Sequence, residues 1–246
     1  MKIICLNVWG GRRHEALLNF LERCQDIDVF CFQEVYRDAV GKDTIWFDAH
    51  LNLLKDLVGV LPDYELFFHP QLRDWWGLAT FVKKTLRISD AGEHFVHTFQ
   101  GDDPELEKVG YMSRNIQFVT LEKDEKPFTV LNFHGLWNGV GKLDSEDRIE
   151  QSKKIISFIQ NIQHDYVLCG DFNLLPTTKS IHMIERELGV RNLITEFGIT
   201  STRTSLYIKP EKFADYMFVP KHMPITSFEV LQDEVSDHCA LYLEIP

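Results

Sequence analysis

The amino-acid sequence predicts an α/β fold in which two packed β-sheets are flanked by helices. Short β-rich runs alternate with helical stretches along the chain. Many strands with about four helices in mixed order favour two packed sheets over one doubly wound sheet. No Gly-, Ser- or Pro-rich linker, internal repeat or low-complexity tract interrupts this pattern. We therefore expect residues 1–246 to form a single domain.

The first part of the chain is predicted to run strand, helix, strand, helix. Residues 2–9 (KIICLNVW) form an apolar, β-rich run, and residues 28–35 (DVFCFQEV) read as a buried strand that ends in an acid. Residues 12–24 carry apolar side chains at helical spacing, which predicts an amphipathic helix. Residues 44–58 also have a helical pattern.

A series of strands is predicted in the middle of the chain. Runs of β-branched and aromatic residues alternate there with turn signals, and prolines fall at the turns. The predicted strands are residues 64–69, 77–84, 87–97, 114–122 and 127–135.

The last part of the chain contains the clearest helix, at residues 145–162. Ser145 precedes two acidic residues there, as expected at a helix N-terminus, and Ile155 and Ile159 belong to an apolar stripe. A shorter helix is predicted at residues 179–188. The remaining predicted strands are residues 166–173, 214–220, 225–232 and 239–245.

The composition is that of an ordinary globular protein with an excess of acid. Apolar residues make up 44% of the chain and charged residues 26%, which excludes collagen-like, coiled-coil and disordered classes. The 37 Asp and Glu residues outnumber the 26 Lys and Arg residues, so the net charge is −11. Because non-specific DNA affinity comes from neutralised phosphates, this charge argues against a histone-like or sliding DNA binder. The net charge is still compatible with an enzyme that holds a phosphate through a metal ion.

The five cysteines and the N-terminus favour a reducing cytoplasm. The chain has no CxxC pair, and four of the five cysteines lie in apolar runs, where a cysteine is usually a small buried hydrophobe. The N-terminus lacks the apolar stretch and cleavage site of a signal peptide, and no run approaches the roughly 20 apolar residues of a membrane span. We expect a cytoplasmic monomer without a membrane span.

Polar residues stand at the ends of several predicted buried strands. An ionisable group in such a place is costly to bury unless it is paired, hydrogen-bonded or metal-bound. A single one is usually a turn former. Their repetition predicts a functional site, because ligand sites in layered α/β folds gather outside one set of strand ends. The residues are Asn7, Glu34, His134, Asp171, Asn173, Asp237 and His238.

These residue types suit the hydrolysis of a phosphate ester. Carboxylate oxygens and an Asn carbonyl are the hard ligands that Mg²⁺ or Mn²⁺ prefers, and the chain has no set of thiolates for zinc. The adjacent Asp237 and His238 offer a base near neutral pH. Phosphate hydrolysis needs a metal to shield oxygens, a base to activate water and a donor to the non-bridging oxygens. Each role has a candidate in this chain.

Six short motifs carry these residues in a fixed order. They are Asn7 in LNVW, Gln33 and Glu34 in QEV, His134 in NFHG, residues 170–173 (GDFN), Asp215 in ADYMFV, and residues 236–238 (SDH). Together they resemble the motifs of the endonuclease/exonuclease/phosphatase superfamily over nearly the whole chain. The resemblance implies a four-layer α/β-sandwich, with two mixed sheets packed face to face and helices outside. The superfamily includes deoxyribonucleases, abasic-site endonucleases, inositol-polyphosphate phosphatases and sphingomyelinases.

The resemblance also implies a site for Mg²⁺ or Mn²⁺. Glu34 would be the principal metal ligand, with Asn7 beside it, and Asp237 would complete the metal shell. Asp171 would orient or activate the attacking water. Asn173 would hold a phosphate oxygen.

Two histidines receive roles from the same resemblance. His238 would contact the scissile phosphate or act as acid and base, with Asp215 fixing its tautomer. His134 falls where deoxyribonucleases and sphingomyelinases carry a histidine, and it would stabilise the phosphate or the leaving oxygen. In deoxyribonucleases a glutamate supports this histidine, whereas the matching segment here reads DWWG at residues 74–77. Which group orients His134, Asp74 or another, is left open.

Two further features have alternative interpretations. Trp75 and Trp76 could be a stacking platform for a base, sugar or lipid, or could simply pack at the start of a strand. Arg148 and Gln151 match the superfamily's arginine-then-glutamine pattern, and would either brace the catalytic loop or contact the substrate.

The sequence thus predicts a divalent-metal-dependent phosphoester hydrolase in which activated water attacks phosphorus without a covalent enzyme intermediate. We favour a phosphodiesterase or nuclease acting on DNA or RNA. The alternative is a phosphatase or sphingomyelinase-like phosphodiesterase that acts on a small-molecule or lipid phosphoester, because loops determine specificity in this fold. A binding module on a dead version of the fold would lack at least one of the polar residues needed for chemistry. Those residues are all present: Glu34, Asp171, Asn173 and His238.

Overall fold

Two six-stranded sheets form the centre of the protein. The computed structural model describes residues 1–42, 48–98, 112–139 and 141–246. Each sheet contains one parallel pair of strands among antiparallel ones, so both sheets are mixed.

The first sheet contains the strands β1 (Lys2–Asn7), β2 (Val29–Tyr36), β3 (Tyr64–Leu72), β4 (Trp76–Lys83), β11 (Ser227–Leu231) and β12 (Ala240–Glu244). Their order across the sheet is β11-β12-β1-β2-β4-β3. Strands β1 and β2 are its parallel pair.

The second sheet has the order β5-β6-β7-β8-β10-β9, with β7 and β8 parallel. Its strands are β5 (Ile88–His97), β6 (Arg114–Lys123), β7 (Lys126–His134), β8 (Asp165–Asp171), β9 (Val190–Asn192) and β10 (Asp215–Pro220).

The helices lie on the outer faces of the sheets. In the part of the chain that the structure describes, they are α1 (His14–Arg23), α2 (Leu53–Val60), α3 (Glu146–Ile159), α4 (Lys179–Leu188) and α5 (Leu193–Glu196), with a 3₁₀ turn at Trp9–Gly11. Among the described residues, no helix combines the length and the apolar character needed to cross a bilayer.

Alternating side chains on the strands explain the layering. In β1, Ile3 and Cys5 face the core between the sheets, whereas Ile4 and Leu6 face a second core that contains Leu17 of α1. A strand buried on both faces must be apolar throughout, as β1 is. Helices α3 and α4 bury their apolar stripes against the other sheet. The predicted α/β fold of two packed mixed sheets with outer helices is therefore confirmed.

A chain of buried amides joins the two sheets. Gln33 Nε2 donates to Oδ1 of Asn132 at 2.7 Å, and Asn132 Nδ2 donates to Oε1 of Gln117 at 3.2 Å. Thr80 Oγ1 donates to the same Gln117 oxygen at 2.7 Å. Because buried polar groups need partners, this network fixes how the sheets face each other. Gln33 and Asn132 stand close to the polar ends of β2 and β7.

The predicted helix at residues 44–58 differs from the structure. Residues 44–47 lie outside the described residues, and the described part of the helix begins only at Leu53. The backbone just before it is used elsewhere, since His50 N–H donates to the Gly10 carbonyl at 2.7 Å and Ala39 N–H donates to the Leu51 carbonyl at 3.0 Å. The short elements β9 and α5 were not predicted.

Candidate active site

All eight predicted site residues lie at one end of the two sheets. Parallel pairing brings the last residues of neighbouring strands together, with His134 opposite Asp171. Asp215 faces Asp171 from the other side of β8. Asn7 is hydrogen-bonded to Glu34 and Asp171, and Asp215 to His238. The remaining six line a single cleft: Glu34, His134, Asp171, Asn173, Asp237 and His238.

Glu34 is aimed into the cleft by an irregularity in β2. The pairing of β2 with β4 shifts register between Phe32 and Val35, and Glu34 has a φ of +61°. For a residue with a side chain, this backbone region costs on the order of 1–3 kcal/mol, and such strain clusters at functional sites. Burial raises the pKa of Glu34, although the hydrogen bond from Asn7 partly opposes this. Its side chain keeps 22% of its surface exposed towards the cleft.

Asn7 joins two carboxylates. Its Nδ2 donates to Oε1 of Glu34 and to Oδ2 of Asp171, both at 3.0 Å. Its Oδ1 accepts the backbone N–H of Trp9 at 2.9 Å. In this arrangement Asn7 positions the two carboxylates, and its oxygen would reach a metal ion only after the amide turned over.

Asp171 and Asn173 share a tight turn at the end of β8. Oδ1 of Asp171 accepts the backbone N–H of Asn173 at 2.8 Å. Asn173 has a φ of +55°, and its Oδ1 accepts a hydrogen bond from Lys142 Nζ at 2.9 Å. Burial pushes the pKa of Asp171 upwards, but the surrounding charges, led by His238 and Lys142, outweigh it and lower the pKa overall. Asp171 is therefore an ionised carboxylate in the cleft.

The end of β8, just before this turn, requires a glycine at position 170. Its φ is +151°, and a Cβ there would lie only 1.9 Å from the carbonyl oxygen of Phe133. Only glycine allows β7 and β8 to approach this closely at the site.

His238 is held by a carboxylate behind it. Nδ1 of His238 lies 2.7 Å from Oδ1 of Asp215, and Thr202 Oγ1 donates to the other oxygen of Asp215 at 2.8 Å. Nε2 of His238 faces the cleft, 3.6 Å from Oδ2 of Asp171. Burial and Arg203 lower the pKa of His238, but the three nearby carboxylates together raise it above its usual value. The imidazolium form is thereby favoured.

His134 is supported by an arginine. Nη1 of Arg114 lies 3.4 Å from Nδ1 of His134, and the ring of Trp76 packs against the imidazole with centroids 5.4 Å apart. Burial, and then the charge of Arg114, lower the pKa of His134 well below its usual value. A neutral ring that accepts from Arg114 at Nδ1 carries its proton on Nε2. That nitrogen lies 3.9 Å from Oε1 of Glu34 and 3.8 Å from Oδ2 of Asp171.

Asp237 faces the cleft with one oxygen. Its Oδ2 accepts a hydrogen bond from Arg203 Nη1 at 3.2 Å. Its Oδ1 is buried 3.7 Å from Nε2 of His238 and accepts no hydrogen bond from the described residues. Burying a carboxylate oxygen without a hydrogen bond costs free energy, unless a cation or a ligand contacts that oxygen.

Three cations that the sequence analysis missed stand around the carboxylates: Arg114, Lys142 and Arg203. Each is buried, and burial lowers the pKa of Lys142 to about 8. Arg114 opens β6, and the antiparallel pairing of β6 with β7 places it beside His134. This pairing was the available signal for Arg114. Lys142 and Arg203 lie outside regular elements and had no such signal.

The structure decides between the two interpretations of Trp75 and Trp76. Both are buried, and Trp75 stacks on Tyr36 with ring centroids 5.7 Å apart. Trp75 packs within the protein, whereas Trp76 lines the cleft with a buried ring that supports His134. The half-buried aromatic rings that line the cleft are Trp9, Trp137 and Tyr207.

Arg148 and Gln151 brace the loop after β7. Nε of Arg148 donates to the Leu136 carbonyl at 3.1 Å, and Nη1 donates to the Leu143 carbonyl at 2.5 Å. Oε1 of Gln151 accepts the Leu136 N–H at 3.0 Å. Of the two roles considered for this pair, the contacts match the bracing one.

The donor set fits a hard divalent cation. Ligand atoms of Glu34, His134 and Asp171 lie within 4.8 Å of one another, and Oδ1 of Asp237 lacks a hydrogen-bond donor among the described residues. Oxygen-rich sets of this kind suit Mg²⁺ or Mn²⁺ better than thiophilic metals.

Solved structures of other proteins share this fold, and three of them show how varied those proteins are. Mannosyl-6-phosphatase Bt3783 of Bacteroides thetaiotaomicron superposes with a TM-score of 0.74 at 17% identity, covering 100% of this chain and 99% of that one. D. rerio TDP2 complexed with a single-strand DNA product gives 0.73 at 16%, covering 99% and 97%. The human Nocturnin catalytic domain with a bound sulfate anion gives 0.70 at 17%, covering 99% and 92%. At these identities the likeness shows the fold.

Family membership rests on the sequence. No curated protein sequence matches the chain. The sequence model of the Endonuclease/Exonuclease/phosphatase family, however, matches residues 4–238, which includes every site residue described above. The chain therefore belongs to the endonuclease/exonuclease/phosphatase family and is a phosphoester hydrolase.

Proposed function

We propose that the chain hydrolyses phosphodiesters with a bound Mg²⁺ or Mn²⁺ ion and that nucleic acid is the substrate class. The observation that carries this proposal is the geometry of His238. One nitrogen is held 2.7 Å from Asp215, while the other faces Asp171 in the cleft that contains Glu34. A fixed proton donor opposite an ionised carboxylate is the pair that in-line displacement by water requires.

Glu34 and Asp237 are the proposed metal ligands, with Asn7 beside them. Glu34 carries its carboxylate into the cleft, and Asp237 offers an oxygen to which no described residue donates a hydrogen bond. When bound, the ion would polarise a phosphoryl oxygen and offset the negative charge of the cleft. Asn7 holds Glu34 and Asp171 in place through its Nδ2.

Asp171 is assigned to the attacking water. Its lowered pKa keeps it ionised, so it accepts a hydrogen bond from water and orients the water towards phosphorus. The backbone N–H of Asn173 already occupies Oδ1 of Asp171, which leaves Oδ2 as the oxygen nearest to both histidines. A carboxylate fixed in this way needs little reorganisation when the reaction begins.

The two histidines are assigned different tasks because their environments differ. His238, with a raised pKa, donates a proton or hydrogen bond from Nε2 to the departing or non-bridging oxygen. His134, with a strongly lowered pKa, acts as a neutral donor through Nε2. Asn173 and Lys142 add donors to the phosphate oxygens at the other side of the cleft. Arg203 and Lys142 bring positive charge to the cleft of a chain whose net charge is −11.

The aromatic rings at the cleft favour a nucleic-acid substrate. Trp9 and Trp137 are half-buried, and cations stand over both rings, with Arg12 4.6 Å from the centroid of Trp9 and Lys142 5.6 Å from that of Trp137. Such pairs suit single-stranded nucleic acid, in which bases stack on aromatic faces and phosphates meet cations. The structural likeness to TDP2 with its single-strand DNA product supports this class.

A phosphatase or a sphingomyelinase-like activity on a small-molecule or lipid phosphoester is the second candidate. The likeness to a mannosyl-6-phosphatase favours the phosphatase form of it. The net charge of −11 also favours a small substrate over a long duplex. We place the enzyme in the cytoplasm as a monomer formed by residues 1–246, and the five free cysteines agree with a reducing compartment.

A substrate panel tests the proposed class. Turnover is measured on single-stranded DNA, duplex DNA, RNA, a sugar phosphate, an inositol phosphate and sphingomyelin, each with Mg²⁺ or Mn²⁺ and with the His238→Ala variant as blank. We expect cleavage of a nucleic acid that the variant lacks. Turnover of monoesters alone would contradict the diesterase proposal in favour of the phosphatase, and turnover of sphingomyelin alone would contradict the nucleic-acid class.

A further inference from the structure

A second set of metal-ligating side chains lies outside the cleft. His14 is the first residue of α1, His50 lies just before α2, and Asp56 is in the first turn of α2. Nε2 of His14 lies 3.0 Å from Oδ2 of Asp56, and Nε2 of His50 lies 2.5 Å from the same oxygen. The two imidazole rings meet edge to face with centroids 3.8 Å apart. Two ring nitrogens and one carboxylate therefore converge on one point.

The surrounding backbone holds this arrangement in place. The His50 N–H donates to the Gly10 carbonyl at 2.7 Å, and the Leu53 N–H donates to the His50 carbonyl at 3.0 Å. Gly11, with a φ of +72°, packs so closely that a Cβ would lie 3.0 Å from the Leu53 side chain. The three groups are thus positioned by the contact between the 3₁₀ turn and the start of α2, and they do not depend on a flexible loop tip.

We propose that His14, His50 and Asp56 bind a transition-metal ion of the Zn²⁺ class at a site separate from the catalytic cleft. Two imidazoles and one carboxylate are a common three-residue zinc set, with a further position left for water. In a tetrahedral zinc site, bonds of about 2.0–2.1 Å separate ligand atoms by roughly 3.3 Å. The 3.0 Å between Nε2 of His14 and Oδ2 of Asp56 is close to that separation, and the 2.5 Å between Nε2 of His50 and the same oxygen is shorter. Rotation of these side chains would therefore have to widen the second distance to admit the ion.

Access and protonation agree with binding. Each of the three side chains keeps about one third of its surface exposed, so an ion can enter from solvent. Because histidine binds a metal ion through a deprotonated ring nitrogen, binding would release the proton that each Nε2 shares with Asp56. The nitrogen ligands also separate the two sites by chemistry, because Mg²⁺ prefers the oxygens of the cleft whereas Zn²⁺ accepts imidazole.

The position suggests what the ion would do. It would join the start of α1 to the start of α2 across the turn at Trp9–Gly11. Trp9 and Arg12 at this turn line the catalytic cleft. A bound ion would therefore fix one wall of the cleft and raise the stability of the folded chain.

Zinc binding to the metal-free protein tests the proposal. The Glu34→Gln, Asp237→Asn double variant serves as the parent, because it removes the proposed cleft ligands. After equilibrium dialysis against micromolar Zn²⁺, bound metal is counted by atomic emission. We expect one Zn²⁺ per parent chain and a higher Tm with Zn²⁺. Adding His50→Gln or His14→Gln should lower the zinc affinity by more than the roughly 10- to 100-fold that loss of a supporting group costs.

A matched control distinguishes this site from general surface binding. His222 also pairs with a carboxylate, its Nε2 lying 2.7 Å from Asp165, but without a second histidine. His222→Gln in the same parent should leave both zinc stoichiometry and the Tm shift unchanged. Circular dichroism checks that each variant is folded. Because there are two histidine variants, the test can be carried out if at least one of them folds. A parent that binds no Zn²⁺, or binding that His50→Gln and His14→Gln leave intact, would overturn the proposal.

Discussion

Arg114 and His134 form a buried pair at the floor of the cleft, with Nη1 of the arginine 3.4 Å from Nδ1 of the imidazole. Arg114 is thus a group that orients His134, a question that the sequence left open. The ring of Trp76, the first residue of β4, packs against the same imidazole. An arginine cannot accept a proton, so it fixes the histidine as a neutral ring with its proton on Nε2.

Replacing Arg114 should therefore impair catalysis through His134. We expect Arg114→Met to lower kcat/KM by roughly 10- to 100-fold, the range for groups that orient a functional histidine. Arg114→Lys keeps a positive donor and should recover part of the loss, which a purely structural role would not produce. Steady-state kinetics on a chromogenic phosphodiester measures both. Equal kcat/KM in wild type and Arg114→Met would refute the assignment.

His238 should be the most sensitive position in the cleft. His238→Ala removes the proposed proton donor, and a positioned acid or base contributes roughly 10²- to 10⁴-fold. Asp215→Asn should also reduce kcat, because it loses the carboxylate that holds Nδ1 at 2.7 Å. His222→Ala, an exposed histidine paired with Asp165, is the matched control and should keep its activity. Near-normal kcat in folded His238→Ala would contradict the mechanism.

Lys142 should make stability depend on pH in the alkaline range. Burial lowers its pKa to about 8 from 10.5, so between these values the unfolded chain binds more protons than the folded one. Stability then rises with pH in this window, by up to about 1.4 kcal/mol per pH unit from this group. Urea unfolding of wild type and Lys142→Met from pH 7 to 9.5 measures the difference. We expect the free energy of unfolding of wild type to increase relative to that of Lys142→Met as pH rises. A difference that does not change with pH would contradict a buried ammonium group at Lys142.

Gly170 should tolerate no side chain. A Cβ at this position would meet the Phe133 carbonyl at 1.9 Å, in a backbone region that is almost restricted to glycine. We expect Gly170→Ala to destabilise the protein by roughly 3 kcal/mol or more. Gly59 in α2 is exposed with no atom near its Cβ position, so Gly59→Ala should instead stabilise by about 0.5–1 kcal/mol. Thermal unfolding compares the two, and similar Tm values would contradict this packing.

The layering could be predicted because it depends on local patterns. Ile3 to Leu6 are apolar without interruption, as a strand covered on both faces must be, and this is visible in the sequence. The polar residues at strand ends could be found in the same way, because they interrupt apolar runs at Asn7, Glu34 and Asp171.

The remaining features depend on contacts between distant segments. The positive φ of Glu34 comes from a register shift against β4, and the nearness of Arg114 to His134 comes from the pairing of β6 with β7. The register shift leaves no local pattern, and the place of Arg114 becomes visible only once β6 and β7 are paired. The apolar periodicity around residues 48–52 resembled a helix, but the backbone of His50 and Leu51 is bonded to Gly10 and Ala39 instead. Tertiary hydrogen bonds overrode the local signal there.

The metal dependence of phosphodiester hydrolysis tests the central claim most directly. The enzyme is stripped of metal by chelation, and turnover of a chromogenic phosphodiester is followed as Mg²⁺ is returned, for wild type and for Glu34→Gln. We expect no turnover above background without metal, full recovery for wild type, and a much higher Mg²⁺ requirement with a lower maximal rate for the variant. Full activity of the metal-free enzyme, or identical Mg²⁺ curves for the two proteins, would contradict a metal-assisted hydrolase built on Glu34.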